Sequence, residues 1–347
     1  MWLSSFYAIS HPDDPDYHGE KHTMAMPITP GRWRGLKMTS TRDHVFSILA
    51  FDQRGSYRKM LPPESTYEQA VAIKTEVVVA LSYHASAVLL DHEYGLMPAL
   101  HMSGGSGLLL SLEKSGYSGD STYRRIDFIP DWTVSKIKAA GASAVKIMAY
   151  YHPDTGALAE EIEAVCARVI AECHAHDLPL FLEPMSYSLD ASIAKESADF
   201  ARTRPHVLRE TARRLGALSP DVLKLEFPVD VAFDDDRGSW KRACADLNDA
   251  CPVPWVLLSA GVDFETFVEQ TQIACDAGAS GFLAGRAIWK EAVTMGDAER
   301  ARFLQEVAIP RITRLSDVTA RAARPWTDFY TPPPANADWY KSYQTTG

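Results

Sequence analysis

Lysine is seldom enclosed by apolar residues without a reason, and this sequence encloses one twice. Lys224 lies in DVLKLEFP between Leu223 and Leu225, and Lys146 lies in AVKIMAY between Val145 and Ile147. Alternation along an extended chain puts Val222, Lys224 and Glu226 on one face and Leu223 and Leu225 on the other. Burial and a second cation nearby both favour the neutral amine. A neutral amine near pH 7 is what attack on a ketone carbonyl to form an imine requires. Glu183 closes the run LFLE and offers a carboxylate that shuttles protons if its pKa rises. The same residues also fit a structural arrangement, with Lys224 paired to Glu226 or to an acid on a neighbouring strand, and Glu183 as partner of either lysine.

A second constellation suits an anion. Ser259-Ala260-Gly261 and Gly285-Arg286 each follow a short apolar run late in the chain. Glycine permits close backbone approach, and an arginine adds a charge-assisted fork. SGGSG at 103–107 precedes an apolar run and reads as a turn rather than a phosphate loop. The histidines include no H-x-H or H-E-x-x-H, and His84, His92, His101 and His152 have no spacing that argues for a zinc site. Neither a metal nor another cofactor is expected.

These residues need elements to hold them. Eight short apolar runs qualify as strands: 46–52, 87–91, 108–113, 144–150, 180–183, 222–226, 255–261 and 281–285. Amphipathic stretches separate most of them, as at 67–84, 157–176 and 264–278, whereas 92–107 shows no clear helix. Eight βα units over about 250 residues match a closed TIM (β/α)8 barrel better than an open doubly wound sheet. The first run ends in Asp52-Gln53-Arg54-Gly55, which is not a dinucleotide fingerprint. A TIM barrel places its site at the C-terminal ends of the strands, with phosphate commonly bound after strands seven and eight. The polar residues inside or just beyond these strands are Asp52, Asp91, Glu93, Glu113, Lys146, Glu183, Lys224, Glu226, Ser259 and Arg286. Residues 1–42 read as an irregular N-terminal extension, 43–328 as the barrel, with a last helix over 298–323, and 329–347 as a Pro- and Tyr-rich tail.

The chain has 347 residues, 46% of them hydrophobic, and a net charge of -10, which does not suggest a nucleic-acid surface. No apolar run is long enough for a membrane span, and the first residues do not resemble a signal peptide. Five cysteines without C-x-x-C spacing fit reduced thiols in a cytoplasm.

Taken in order, ILAFDQRGS, LLDHEYG, GLLLSLEKSGY, KAAGASAVKIMAYY, FLEPMSY, DVLKLEFPV, LSAGVDFETF and LAGRAIW resemble the class I tagatose-1,6-bisphosphate aldolase family, which also contains sulfofructose-phosphate aldolases. The resemblance runs from about residue 43 to 328 and includes PWT at 325–327. It implies a TIM barrel that cleaves a ketose 1-phosphate or 1,6-bisphosphate to dihydroxyacetone phosphate and an aldehyde. It further implies Lys224 as the imine-forming nucleophile, Lys146 as auxiliary lysine and Glu183 as acid/base. Asp52, Gln53 and Arg54 would line the substrate site, and Ser259, Gly261, Gly285 and Arg286 would hold the phosphate. His152 and Pro184 depart from the lactose-type pattern, and the Glu-Pro pair lies closer to the sulfosugar side. A sulfofructose-1-phosphate substrate is therefore the alternative. A non-catalytic phosphosugar-binding regulator would have lost the lysine–glutamate set, which is present. The expected partner is a phosphorylated ketose, with a homo-oligomer left open.

Overall fold

The computed structural model describes residues 25–334 and 336–343. Eight parallel strands form a closed barrel in chain order: β2 (Phe46–Phe51), β3 (Ala87–Leu90), β4 (Gly107–Ser111), β5 (Ala144–Tyr150), β6 (Leu180–Met185), β7 (Val222–Leu225), β8 (Trp255–Leu258) and β9 (Gly281–Ala284). Pairing of β9 with β2 closes the ring, Phe46 opposite Gly281 and Leu49 opposite Ala284. The eight strands are those anticipated above, most of them a residue or more shorter at their ends.

Side-chain alternation sorts two cores. Ile48, Ala50, Leu89, Leu109, Ala144, Phe181, Val222, Val256 and Leu283 fill the barrel interior. Leu49, Phe51, Val88, Leu90, Val145, Ile147, Leu182, Leu223 and Leu257 face outward under the helices. The helices begin where side chains satisfy their free amide groups. Thr66 and Gln69 form a reciprocal capping box at the start of α3 (Tyr67–Ser82). Ser197 and Asp263 cap α7 (Ala198–Gly216) and α9 (Phe264–Asp276).

Three segments differ from the sequence reading. The stretch 92–107 does contain a helix, Leu96–His101, too short to leave a clear periodicity. The anticipated helix over 298–323 divides into Asp297–Phe303 and Ile309–Ala322, joined by a π-helical turn over Leu304–Ala308. Pro310 lacks the N–H that would bond one turn back, and the wider turn absorbs that loss.

Residues 1–24 of the anticipated extension lie outside the described residues. The rest of it is regular: β1 (Met26–Pro27) pairs with β10 (Tyr330–Thr331), and α1 (Pro30–Thr39) lies under the barrel. Leu36 of α1 joins the interior core, Arg32 pairs with Asp221 at the foot of β7 (2.8 Å), and Ser86 Oγ donates to the Thr39 carbonyl oxygen (2.8 Å). All three contacts are at the N-terminal ends of strands, so α1 closes the end opposite the chemistry. Tyr330 ties the start of the tail to the same place by donating to the Asp221 carbonyl oxygen (2.9 Å). No helix among the described residues is long and apolar enough to cross a membrane.

Candidate active site

Toward the C-terminal ends of the strands the barrel interior turns from apolar to charged. Asp52 follows β2, Glu113 follows β4, Lys146 lies in β5, Glu183 in β6 and Lys224 in β7, all of them buried. Their side chains converge. Glu183 bridges the two lysines, with Oε1 2.7 Å from Lys224 Nζ and Oε2 2.7 Å from Lys146 Nζ. Lys146 Nζ also donates to Asp52 Oδ2 (2.8 Å) and Glu113 Oε1 (3.1 Å). Lys146 thus has three carboxylate partners, whereas Glu183 is the one carboxylate paired with Lys224 among the described residues.

This asymmetry corrects one expectation. Two inward lysines were expected to depress each other's pKa. For Lys146 the outcome is the reverse: burial does oppose its charge, but Asp52, Glu113 and Glu183 outweigh burial and raise its pKa well above the ordinary lysine value. Lys146 is a fixed ammonium. Asp52 shows the converse, since burial opposes its ionisation but Lys146, Lys224 and Arg54 hold it below the usual carboxylate range.

The second difference between the lysines is access. A cavity of about 470 Å³ opens at the barrel mouth, and Lys224, Glu183 and Gln53 line it with Ser259, Gly285 and Arg286. Lys146 is not among the lining residues; it sits behind Glu183. Gln53 Oε1 is buried without a hydrogen-bond partner among the described residues.

After β8, Ala260 and Gly261 both have positive φ (46° and 89°), and Gly261 lies against Arg286. A Cβ on Gly261 would lie 3.4 Å from Arg286 Cζ, and one on Gly285 would lie 2.5 Å from the Ala50 carbonyl oxygen. Side chains at either position would crowd this wall. Arg286 has no carboxylate within ion-pairing distance among the described residues.

The other sequence candidates are distributed as follows. Arg54 is committed to Glu113: Nη1 donates to the Glu113 carbonyl oxygen (2.7 Å) and Nη2 to Oε1 (3.3 Å). Asp91 pairs with buried Lys74 at the back of β3, and Glu93 is exposed. Glu226 is paired not with Lys224 but with Lys195 (2.6 Å) and Arg204 (3.6 Å), and it accepts from Ser186 Oγ (2.6 Å). Lys195 and Arg204 line the cavity and were not picked out from the sequence. Both lie outside strands in polar stretches, where nothing marks one cation from another. His152 is buried against Tyr187 (ring centroids 6.2 Å apart), and burial lowers its pKa. Among the described residues no group of three or more His, Cys, Asp or Glu is arranged to hold a metal ion.

Residues 46–291 match the family described as DeoC/LacD family aldolase. The chain is 35% identical over 325 residues to a tagatose 1,6-diphosphate aldolase of Lactococcus lactis subsp. lactis, covering 87% of this chain and 99% of the relative. It is 34% identical over 326 residues to the tagatose 1,6-diphosphate aldolase of a Streptococcus agalactiae strain, covering 87% and 100%. Among solved structures, a fructose-bisphosphate aldolase from Plasmodium falciparum superposes with a TM-score of 0.61 at 15% identity, covering 86% of this chain and 98% of that one. An archaeal fructose 1,6-bisphosphate aldolase does so with a TM-score of 0.55 at 16% identity, covering 83% and 98%. The structural likenesses speak for the barrel; the sequence matches speak for descent. The chain belongs to the DeoC/LacD aldolase family and is a carbon–carbon lyase.

Proposed function

We propose that this enzyme is a class I aldolase that cleaves tagatose 1,6-bisphosphate, through an imine on Lys224, to dihydroxyacetone phosphate and an aldehyde. The observation that carries the reading is the contrast between the lysines. Lys224 borders the cavity with one carboxylate partner, and Lys146 stands behind that carboxylate as a fixed cation. The substrate follows from the names of the relatives, to which this chain is similar along nearly their whole length.

The residues divide the work accordingly. The Lys224 amine, its proton passed to Glu183, adds to the C2 ketone. Glu183 returns that proton to the C2 hydroxyl, water leaves, and an iminium remains. The Glu183 carboxylate next takes the C4 hydroxyl proton while the C3–C4 bonding pair moves into the iminium. The aldehyde departs, leaving an enamine. Protonation at C3 and addition of water then release dihydroxyacetone phosphate and the free amine. Lys146 holds Glu183 in place by the second oxygen. Arg286, beside Gly261 and Ser259, meets the C1 phosphate, and Gln53 Oε1 accepts from a sugar hydroxyl.

Borohydride reduction in the presence of dihydroxyacetone phosphate is expected to add a stable mass to the peptide bearing Lys224. Lys224→Met is expected to abolish both adduct and turnover. An adduct on Lys146 would overturn the assignment. Turnover of tagatose 1,6-bisphosphate measured beside fructose 1,6-bisphosphate and sulfofructose 1-phosphate tests the substrate; a marked preference for the sulfonate would replace it.

A further inference from the structure

Glu113 is buried two residues beyond the end of β4, with its side chain inside the barrel. All its hydrogen bonds to the site are accepted ones. Oε1 accepts from Lys146 Nζ (3.1 Å) and Arg54 Nη2 (3.3 Å), and Oε2 accepts from the Met148 backbone N–H (3.1 Å). Three donors and no acceptor require the carboxylate. Its backbone carbonyl oxygen takes a further bond from Arg54 (2.7 Å). Glu113 does not line the cavity, unlike Glu183 and Lys224. Burial raises its pKa in spite of Lys146 and Arg54, so the ionised form that its donors favour carries a desolvation cost.

The groups joined to it, directly or through one another, come from five strands. They are Asp52 and Arg54 after β2, His92 after β3 (3.4 Å from Arg54 Nη1), Lys146 on β5, Glu183 on β6 and Lys224 on β7. Arg54, Lys146 and a cationic Lys224 face Asp52, Glu113 and Glu183, three cations against three anions. The array is therefore balanced whenever Lys224 carries a positive charge, as ammonium or as iminium. With Glu113 neutral, forming the iminium would leave a surplus positive charge in a buried site, where charge interactions are screened poorly.

We propose that Glu113 is a positioning residue for imine chemistry, acting through Lys146 and Arg54 rather than on the substrate. It anchors the Lys146 ammonium on the side away from Glu183 and completes the negative charge that matches the iminium. The proposal rests on Lys224 as the imine lysine.

The test is Glu113→Gln, which keeps shape and removes charge. Expected are a fall in kcat for tagatose 1,6-bisphosphate cleavage of tenfold or more, a KM within about threefold of wild type, and retained borohydride trapping of dihydroxyacetone phosphate on Lys224. Both limbs of the pH–kcat profile should move to lower pH, because removing one negative charge loosens every proton in the array. A purely structural role would lower amplitude without moving the limbs. A kcat within twofold of wild type, or unmoved limbs, overturns the proposal. If Glu113→Gln does not fold, Glu113→Asp decides. It keeps the charge but withdraws it from Lys146, so kcat should fall at least fivefold and both limbs should move to lower pH by less than in Glu113→Gln, and wild-type kcat or unmoved limbs would overturn the proposal. Wild-type enzyme that fails to trap on Lys224 would defeat the catalytic assignment itself, a different result from a silent Glu113 variant.

Discussion

At the scale of single residues, Arg286 separates binding from chemistry. It lines the same cavity as Lys224, against Gly261, with no carboxylate partner among the described residues. An arginine–phosphate contact is charge-assisted and directional. Arg286→Ala is therefore expected to weaken dihydroxyacetone phosphate binding about tenfold or more, a loss of at least ~1.4 kcal/mol. Borohydride trapping of unphosphorylated dihydroxyacetone on Lys224 should stay at the wild-type level. Equal loss with both ligands would move Arg286 from phosphate binding to general support of the wall. Lys224, Lys146 and Glu183 were legible in the sequence because charged residues in apolar strand runs are costly and stand out. The charge state of Lys146 was not legible. Its three carboxylates, Asp52, Glu113 and Glu183, come from three strands separated by tens of residues, and only barrel closure brings them within 3.1 Å. The commitment of Arg54 to Glu113 was hidden for the same reason.

At the scale of elements, the strands were legible because each is a short apolar run ending in a polar residue, and α1 was not. PGRWRGLKMT alternates small, cationic and apolar residues, and α1 gains its place from the barrel floor rather than from its own periodicity. Its main tie is Arg32 to Asp221, whose carboxylate is fully buried and also accepts from the Leu180 N–H (2.8 Å) and meets His174 Nε2 (3.1 Å). Removing one member of a buried pair strands the other charge, which typically costs about 3–5 kcal/mol. Arg32→Ala should therefore lower unfolding free energy toward that range, less what His174 recovers. Its kcat should be unchanged under conditions where the protein stays folded, since α1 is at the end of the barrel away from Lys224. Urea unfolding and steady-state kinetics on one preparation check both halves. A stable variant with depressed kcat would show that the barrel floor is coupled to the site.

For the whole molecule, the pH range of stability follows from groups whose pKa differs between folded and unfolded chain. On the acid side, Lys146, Lys224 and Arg54 hold Asp52 low against its burial, and Lys195 and Arg204 do the same for Glu226. Their stabilisation is present above the unfolded carboxylate value and lost as pH falls through the folded one. On the alkaline side the ordering is less obvious. Lys146 has a raised folded pKa, so its contribution is complete below the ordinary lysine value of 10.5 and fades only as pH passes the folded value above that. The five cysteines act earlier. All are free and buried, and burial pushes Cys166, Cys244, Cys251 and Cys275 up to about 12 from 9.0 and Cys173 well above 9.0. Between those values the folded chain keeps thiol protons that the unfolded chain releases, so stability falls as pH rises. Each thiol contributes a slope that approaches about 1.4 kcal/mol per pH unit once the unfolded thiol is ionised. Urea unfolding under reducing conditions should thus be nearly flat from about pH 7 to 8.5 and fall steeply above about pH 9. Cys244 and Cys275 lie in neighbouring helices of the outer layer, away from the cavity. Replacing both with alanine should lower stability at neutral pH through lost packing. It should also make the decline above about pH 9 shallower by roughly 2 kcal/mol per pH unit. A double variant with the wild-type slope would assign the alkaline limit to other groups, the buried tyrosines first among them.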